Sequence, residues 1–225
     1  MKKLAIVSSA LFFVTLLTAK AQLFPKVDKP SSDDMSLIAL EFGREDEGKI
    51  IMANNVAWSG WAPAVTGPDG KEIPFRNYDS GADITNIYYA ENLPAGEYTL
   101  TGFYHVYTDF DKLDEHRSKT GEEELTRYAP YENLPYHVRQ HFALPNPITI
   151  KLDPKAMASF GTFIVKYRHF EAFYGGTSNK RSSVVEEDFE YVTAKPHDDH
   201  ILRYMKPWRT PAWKKWNVMN PAEPL

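Results

Sequence analysis

The seven histidines of this 225-residue sequence are its first candidates for a functional site, because imidazole side chains can bind a metal ion. His137 and His141 lie four residues apart in a segment with strand-like alternation. Four strand residues separate their α-carbons by about 13 Å, so the two imidazoles cannot readily share one ion. His105 could join one of them from the same face of a neighbouring strand, but a catalytic zinc site needs three protein ligands. The sequence therefore predicts no metal and no cofactor.

Nucleophile motifs are also missing from the sequence. Neither a Gly-x-Ser-x-Gly elbow nor a Ser-x-x-Lys pair occurs. The acids between residues 186 and 190 could supply a glycosidase pair, but acid clusters on exposed segments are usually a solvated face. With 26 basic and 30 acidic residues the formal net charge is −4, which provides no basic field to collect nucleic acid. We predict a non-enzymatic protein that does not bind nucleic acid.

Aromatic residues provide a more specific hypothesis. Two tryptophans flank a predicted Ser-Gly turn, and three rings share one face of the clearest predicted strand, residues 97–110. Exposed aromatic side chains on a β-sheet can stack on sugar rings or contact a partner protein. The alternative is that a second sheet, the tail or the loop 111–134 covers them, as is usual for large rings. The candidate binding residues are Trp58, Trp61, Phe103, His105 and Tyr107.

The C-terminal tail is the second candidate binding segment, since Trp208, Trp213 and Trp216 are interspersed with basic residues. This composition is typical of an interface or a membrane surface. Pro207 and Pro211 prevent one long amphipathic helix. We therefore favour contact with a protein, or with the protein's own sheets, over membrane insertion.

The pattern of the N-terminal residues predicts an export signal. Two lysines precede an apolar run at residues 4–18, and small residues at positions 19 and 21 predict cleavage between Ala21 and Gln22. A retained anchor is the alternative, but about 15 apolar residues fall short of the roughly 20 that span a membrane. The absence of cysteine excludes disulfides and a lipoprotein anchor. The sequence predicts a bacterial protein that is periplasmic or secreted, without a transmembrane span after cleavage.

The rest of the chain is dominated by short apolar segments that alternate with period two. We predict a signal peptide at 1–21, a linker at 22–35, a β-sandwich domain at 36–195, and a short helical, tryptophan-rich tail at 196–225. One short helix is expected to start at Thr120, where Thr-Gly-Glu-Glu resembles a capping box. Strict alternation in 97–110 places Tyr104 on the apolar face with Tyr98 and Leu100. The predicted strands are 36–42, 49–53, 71–75, 84–90, 97–110, 136–144, 148–152, 161–170 and 182–193.

Two segments carry a resemblance to known β-domains. The turn and strand Leu-Pro-Ala-Gly-Glu-Tyr-Thr-Leu at 93–100 resembles those of prealbumin-like sandwiches, such as carboxypeptidase regulatory-like and Cna B-type domains. Segments 148–154 and 160–165 are similar to a later strand pair in small exported bacterial families of unknown function. The resemblance covers residues 84–170 and implies a mainly β, antiparallel, prealbumin-like or immunoglobulin-like sandwich without catalytic residues.

The leading functional hypothesis is an exported β-sandwich that binds a protein or another envelope component. A carbohydrate-binding module, for which an envelope polysaccharide would be the ligand, is the first alternative. A hydrolase with an unrecognised site is the second.

Overall fold

A computed structural model describes the protein over nine parts of the chain. The described residues are 27–28, 30–46, 48–52, 59–79, 85–121, 129–167, 189–193, 201 and 217–218. They include ten strands and the helix α1, and Ile201 is helical as well. The strands are β1 (Met35–Asp46), β2 (Lys49–Ile51), β3 (Ser59–Thr66), β4 (Arg76–Asp79), β5 (Asn86–Pro94), β6 (Gly96–Thr108), β7 (His137–Leu152), β8 (Ala156–Tyr167), β9 (Phe189–Thr193) and β10 (Asn217–Val218), and α1 is Phe110–Thr120.

The strands form two sheets. The seven-stranded sheet has the order β10-β8-β1-β5-β4, with β2 paired to β1 and β9 paired to β8. The three-stranded sheet has the order β3-β6-β7 and is antiparallel throughout. The prediction of a mainly β protein is therefore confirmed.

The pairing of β1 with β8 is an exception to the predicted antiparallel arrangement, which holds for most of the strand pairs. These two strands run parallel over the register from Leu37 opposite Met157 to Glu45 opposite Lys166. Parallel neighbours need a long crossover connection, and here every strand from β2 to β7 lies between the two partners. The alternation of apolar and polar residues along one segment does not indicate which distant strand will pair with it.

The two sheets pack face to face around one core. On β1, Ile38, Leu40 and Phe42 point toward the three-stranded sheet, where the ring of Phe42 lies 4.5 Å from that of Phe103. The ring of Phe103 lies 5.2 Å from that of Phe163 on β8. Alternate residues of β1 face the other way and are buried too, which explains why this central strand is almost continuously apolar.

A second, smaller apolar cluster covers the opposite face of the seven-stranded sheet. Val27, which precedes the first strand, is buried there, and so is Ile201, which is helical. The buried sheet residues of the cluster are Leu37, Ala39, Ile87, Tyr89 and Met157. Segment 27–34 is therefore packed against the β domain at its first described residue.

A β-bulge in β6 decides which side chains enter the core. Pairing with β3 passes from Gly102 opposite Ala64 to Leu100 opposite Val65, so Thr101 is an extra residue. The ladder with β7 shifts at the same place. One inserted residue exchanges the two faces of a strand. The face that carries Leu100 before the bulge therefore continues with Phe103 and His105 after it, which corrects the predicted face assignment.

Glycine is required at this bulge because two backbones approach closely. A Cβ atom on Gly102 would lie 2.0 Å from the carbonyl oxygen of Phe142 and 2.9 Å from the α-carbon of Ala143. Neither atom belongs to a side chain that could move aside. The sequence of β6 thus permits the bulge through Gly102.

Three local predictions were wrong. Segment 71–75 is not a strand and contributes only the isolated bridge between Thr66 and Glu72. The predicted turn after Trp58 is the start of β3, an edge strand that tolerates Pro63. Residues 145–147 do not divide two strands, because β7 runs through them.

A helix that was not predicted, α1, ends at Thr120, the residue predicted to start one. The Asp109 carboxylate caps α1 by accepting from the backbone N–H groups of Asp111 at 3.1 Å and Lys112 at 3.2 Å. Gly121, at φ 71°, ends the helix in the left-handed conformation. The motif interpreted as a helix start therefore contains the C-terminal cap, and residues 122–128 lie outside the described part of the chain.

Of the predicted helical tail, the structure describes Ile201 and strand β10, which pairs in parallel with the beginning of β8. The strand was not predicted. Within the described ranges, no helix has the length and apolar character to cross a membrane.

Candidate functional site

The structure brings together four of the aromatic residues predicted to bind a ligand. We call Trp61, Phe103, His105 and Tyr107 the inner aromatic row. Trp61 on β3 lies opposite His105 on β6, with ring centroids 4.8 Å apart, and the ring of Tyr107 follows at 5.7 Å from that of His105. Their proximity results from the antiparallel pairing of β3 with β6.

This row faces the second sheet rather than solvent. Phe103 is 0%, His105 1% and Trp61 2% exposed, and only Tyr107 is half-buried. The ring of Phe42, from the seven-stranded sheet, contacts both Trp61 and Phe103. The exposed position required by the binding hypothesis is therefore not found for Trp61, Phe103 and His105, because the second sheet covers them.

The remaining predicted positions lie outside the described residues. These are Trp58, the three tail tryptophans Trp208, Trp213 and Trp216, and the cleavage pair Ala21 and Gln22.

Burial also controls the chemistry of His105. Desolvation lowers the pKa of this imidazole to about 4, because the charged form would lie in an apolar interior. His105 is therefore neutral at physiological pH and belongs to the packed ring system. It is also on the opposite face from His141, whose partner in the register is Tyr104. The expectation that His105 shares a face with His137 and His141 was wrong, again because of the bulge.

The outer face of the three-stranded sheet carries a second group of polar and aromatic side chains, which we call the outer-face cluster. It consists of Tyr104 on β6, Arg139 and His141 on β7, and Glu72 between β3 and β4. His141 lies opposite Tyr104 in the register, and Arg139 lies two residues before His141 on the same strand. The side chains of Tyr104, Arg139 and His141 therefore project from the same face of the sheet. The β-sheet thus fixes the positions of three of the four members.

Arg139 links the members of this cluster. Its guanidinium carbon lies 3.7 Å from the centroid of the Tyr104 ring, and one of its nitrogens contacts the Glu72 carboxylate. The ring of His141 lies 5.2 Å from that of Tyr104. The side chains of Arg139 and Glu72 remain 32% and 31% exposed, and His141 is exposed. The cluster is therefore ordered by its own contacts and open to solvent.

The Tyr104 phenol is kept in its neutral form. Partial burial raises its pKa, a hydrogen bond to Glu72 raises it further, and the nearby positive charge of Arg139 opposes both effects. The phenol therefore remains a hydrogen-bond donor at neutral pH. Together the cluster offers a phenol, a guanidinium, a carboxylate and an imidazole, a set suited to recognition by hydrogen bonds and ring contacts.

The free edge of β3 is closed beside this face. The hydroxyl of Tyr88 donates to the carbonyl of Trp61, and the hydroxyl of Tyr131 donates to that of Pro63 at 2.9 Å. The N–H of Ile73 donates to the carbonyl of Val65, also at 2.9 Å. Occupied carbonyls and a proline without N–H block the addition of another strand. A partner would approach the sheet here through its outer face.

Sequence reasoning missed the outer-face cluster. Strict alternation assigned Tyr104 to the core, and the contact with Glu72 depends on a tertiary approach. The available signal was the alternation of polar residues in β7, where His137, Arg139 and His141 share one face. No described set of three or more histidines, acids or cysteines is close enough to hold a metal ion.

A buried carboxylate was missed as well. Glu41 on β1 is 3% exposed, and its two oxygens accept hydrogen bonds from the hydroxyls of Thr85 at 2.7 Å and Thr162 at 3.0 Å. These bonds join β1 to β8 and to the start of β5. The geometry is that of a buried group paired with hydroxyl donors, which stabilises the sheet.

Comparison with known proteins gives no assignment. No family model matches the chain, and no curated protein or solved structure matches it either. The resemblance to prealbumin-like domains remains a prediction.

Proposed function

We propose that this chain is an exported, non-enzymatic β-sandwich of the prealbumin-like or immunoglobulin-like kind that binds a protein of the bacterial envelope through its outer-face cluster. The supporting observation is the contrast in exposure. Three of the residues first considered for binding, Trp61, Phe103 and His105, lie in the core. In contrast, Tyr104, Arg139, Glu72 and His141 are ordered on an open face.

The residue types favour a protein as the partner. Tyrosine and arginine are enriched at protein interfaces and dominate their binding energy. The ring of Tyr104 already carries a guanidinium on one face, which leaves less of it for stacking on a sugar. Positions on paired strands also reduce the conformational entropy that binding would cost.

A carbohydrate-binding role is the second candidate. The rings of Tyr104 and His141 lie side by side at 5.2 Å, with a carboxylate and a guanidinium adjacent. Neighbouring rings with hydrogen-bonding groups at their margin could hold an envelope polysaccharide.

The experiment uses residues 22–225 immobilised and exposed separately to solubilised envelope proteins and to envelope polysaccharide. We expect one protein to be retained, and Tyr104→Ala or Arg139→Ala to reduce its affinity at least ~10-fold, as for a hot-spot residue. Ser118→Ala, on the exposed surface of α1, is the matched control and should retain the partner. Retained glycan that is lost in the same two variants would favour the second candidate. Retention that is unchanged in both variants would contradict a role for the outer-face cluster.

The tail requires a separate test. Truncation at residue 207 would also remove β10, which pairs with β8. Substitution of alanine for Trp208, Trp213 and Trp216 together keeps that strand and removes the rings. Loss of the retained protein in this variant, with Tyr104 intact, would assign the contact to the tail instead.

Export is tested by determining the N-terminus of the protein recovered from its source. We expect Gln22 as the first residue in the periplasmic or secreted fraction. A protein that retains residues 1–21 would contradict cleavage.

A further inference from the structure

Segment 27–34, of which the structure describes residues 27, 28 and 30–34, lies against the seven-stranded sheet but is not one of its strands. Val27 is its only described residue that is buried, at 6% exposure, and it fills part of the second apolar cluster. Pro30 is half-buried, and Asp28 and residues 31–34 are exposed. Among the described residues of the segment, Val27 therefore provides the main hydrophobic contact.

Side chains, rather than a backbone ladder, hold the segment in place. The N–H of Asp28 donates to the Glu91 carboxylate at 2.9 Å, and the N–H of Ser31 donates to the side-chain oxygen of Asn92 at 2.7 Å. Within the described parts of the chain, the backbone hydrogen bond that joins residues 27–34 to a strand is the turn contact from the N–H of Met35, the first residue of β1, to the carbonyl of Ser32 at 3.4 Å, and no ladder is formed. Strand β1, by contrast, forms backbone ladders with a neighbouring strand on each side.

Two ion pairs complete the attachment. Arg76 contacts Asp28 at 3.3 Å, and Lys155 contacts Asp33 at 3.0 Å. The acidic side chains of these pairs are 65% and 93% exposed, so solvent screens both interactions strongly. Segments with few buried contacts and exposed hydrogen bonds open locally, at a free energy well below that of global unfolding.

We propose that segment 27–34 is a lid that opens as a unit while both sheets remain folded. Opening withdraws Val27 from Leu37, Ile87 and Met157 and exposes the part of the apolar face that Val27 fills. Ile201 occupies the same cluster and is not part of the lid. The state of the lid decides whether this apolar surface is accessible, independently of the outer-face cluster on the other sheet.

The natural absence of cysteine allows a clean test by thiol labelling of single-cysteine variants of residues 22–225. Val27→Cys reports on the lid. Val65→Cys, in the core between the sheets, is the matched buried reference, and Ser118→Cys on α1 is the exposed reference. We expect Val27→Cys to react at least ~100-fold faster than Val65→Cys in native buffer, with little dependence on low urea concentrations. Its rate should still be well below that of Ser118→Cys.

Two outcomes would overturn the proposal. Equal rates and equal urea dependence for Val27→Cys and Val65→Cys would mean that the segment is released only by global unfolding. A Val27→Cys rate equal to that of Ser118→Cys would mean that no closed state exists. If Val65→Cys does not fold, Val165→Cys provides the buried reference.

Two further measurements separate opening of the lid from a local effect of the cysteine. Asp33→Ala, which removes one anchor, should accelerate labelling of Val27→Cys several-fold and leave Val65→Cys unchanged. In the unmodified chain, the amides of Asp28 and Ser31 should exchange at least ~100-fold faster than those of Ile38 and Leu40. Equal amide hydrogen exchange rates in the lid pair and in the β1 pair would contradict independent opening of the lid.

Discussion

The two faces of strand β6 carry similar residues and have opposite roles. Phe103 and His105 project between the sheets, where rings from β1, β3 and β8 surround them. Tyr104, between them in sequence, projects outward beneath the guanidinium of Arg139. The inner face is held by packing and excludes charge, whereas the outer face is held by charge and hydrogen bonds. Residue type alone therefore does not indicate which aromatic side chains of a sheet are available for binding.

The bulge that separates these faces should be the most sensitive position. Gly102→Ala places a Cβ atom against the backbone of β7, so we expect a loss of about 5 kcal/mol or more, or no cooperative folding. Gly70→Ala is the matched control, since its φ of +75° is unfavourable but no atom lies within 4 Å of the added carbon. We expect that control to cost about 1 kcal/mol. Urea unfolding measures both, and similar losses would contradict the close approach.

Adjacent truncations on β6 compare the faces directly. Phe103→Ala leaves a cavity in the core and should destabilise the protein by about 3 to 5 kcal/mol. Tyr104→Ala removes a partly exposed ring and should cost about 1 kcal/mol. Urea unfolding at neutral pH checks this order. Equal losses would show that the faces are buried to the same extent.

Acid should weaken the inner face specifically. Because the folded pKa of His105 is about 4, below the ordinary value of 6.5, the unfolded chain takes up a proton first as the pH falls. The contribution of the neutral His105 imidazole to the free energy of unfolding is fully present above pH 6.5. It is lost progressively as the pH falls to about 4. We expect the stability difference between the natural chain and His105→Gln to shrink by about 3 kcal/mol between pH 7 and pH 4.

Urea unfolding across that range provides the measurement, and taking the difference between the two chains removes the contribution of the carboxylates. A difference that does not change with pH would contradict a buried, neutral His105.

The smallest effect should appear on the outer face, as a change in the Tyr104 pKa. Glu72→Gln should lower that pKa, because Glu72 raises it, and Arg139→Gln should raise it, because Arg139 lowers it. Stability should change by less than about 1 kcal/mol in either variant. Titration of the tyrosine ring carbons by NMR reports the shifts. Shifts absent in both variants would mean that the outer-face cluster does not form in solution.

Local features of the fold were predictable from the sequence. The connection between β5 and β6 falls within residues 92–96, although the strands continue into this segment and leave only Ala95 between them. The apolar runs that begin near Ser36 and Glu97 are strands. These features depend on neighbouring residues, through turn chemistry and period-two alternation. The helix was misplaced because Gly121 lies within a motif that also fits a helix start, although its left-handed φ ends α1.

The candidate site was less predictable. Trp61 and His105 were both selected, but their contact requires the register of β3 against β6. Strict alternation placed Tyr104 on the apolar face and Phe103 on the less apolar one, the reverse of the structure, although cover of the Phe103 face by a second sheet was also expected. Arg139 and Glu72 come together from positions 67 residues apart. Pairing over such distances depends on the whole chain and leaves no local pattern.

The sequence by itself determined that this protein is built from short strands, because alternation and turn residues act over a few positions. It also determined where the chain tolerates a close backbone approach, through Gly102. The tertiary structure alone decided which face of each strand is buried and that β1 and β8 run parallel. The physical reason is that alternation defines two faces without ranking them. The second sheet selects the buried face, and the single extra residue Thr101 exchanges the two faces along the strand.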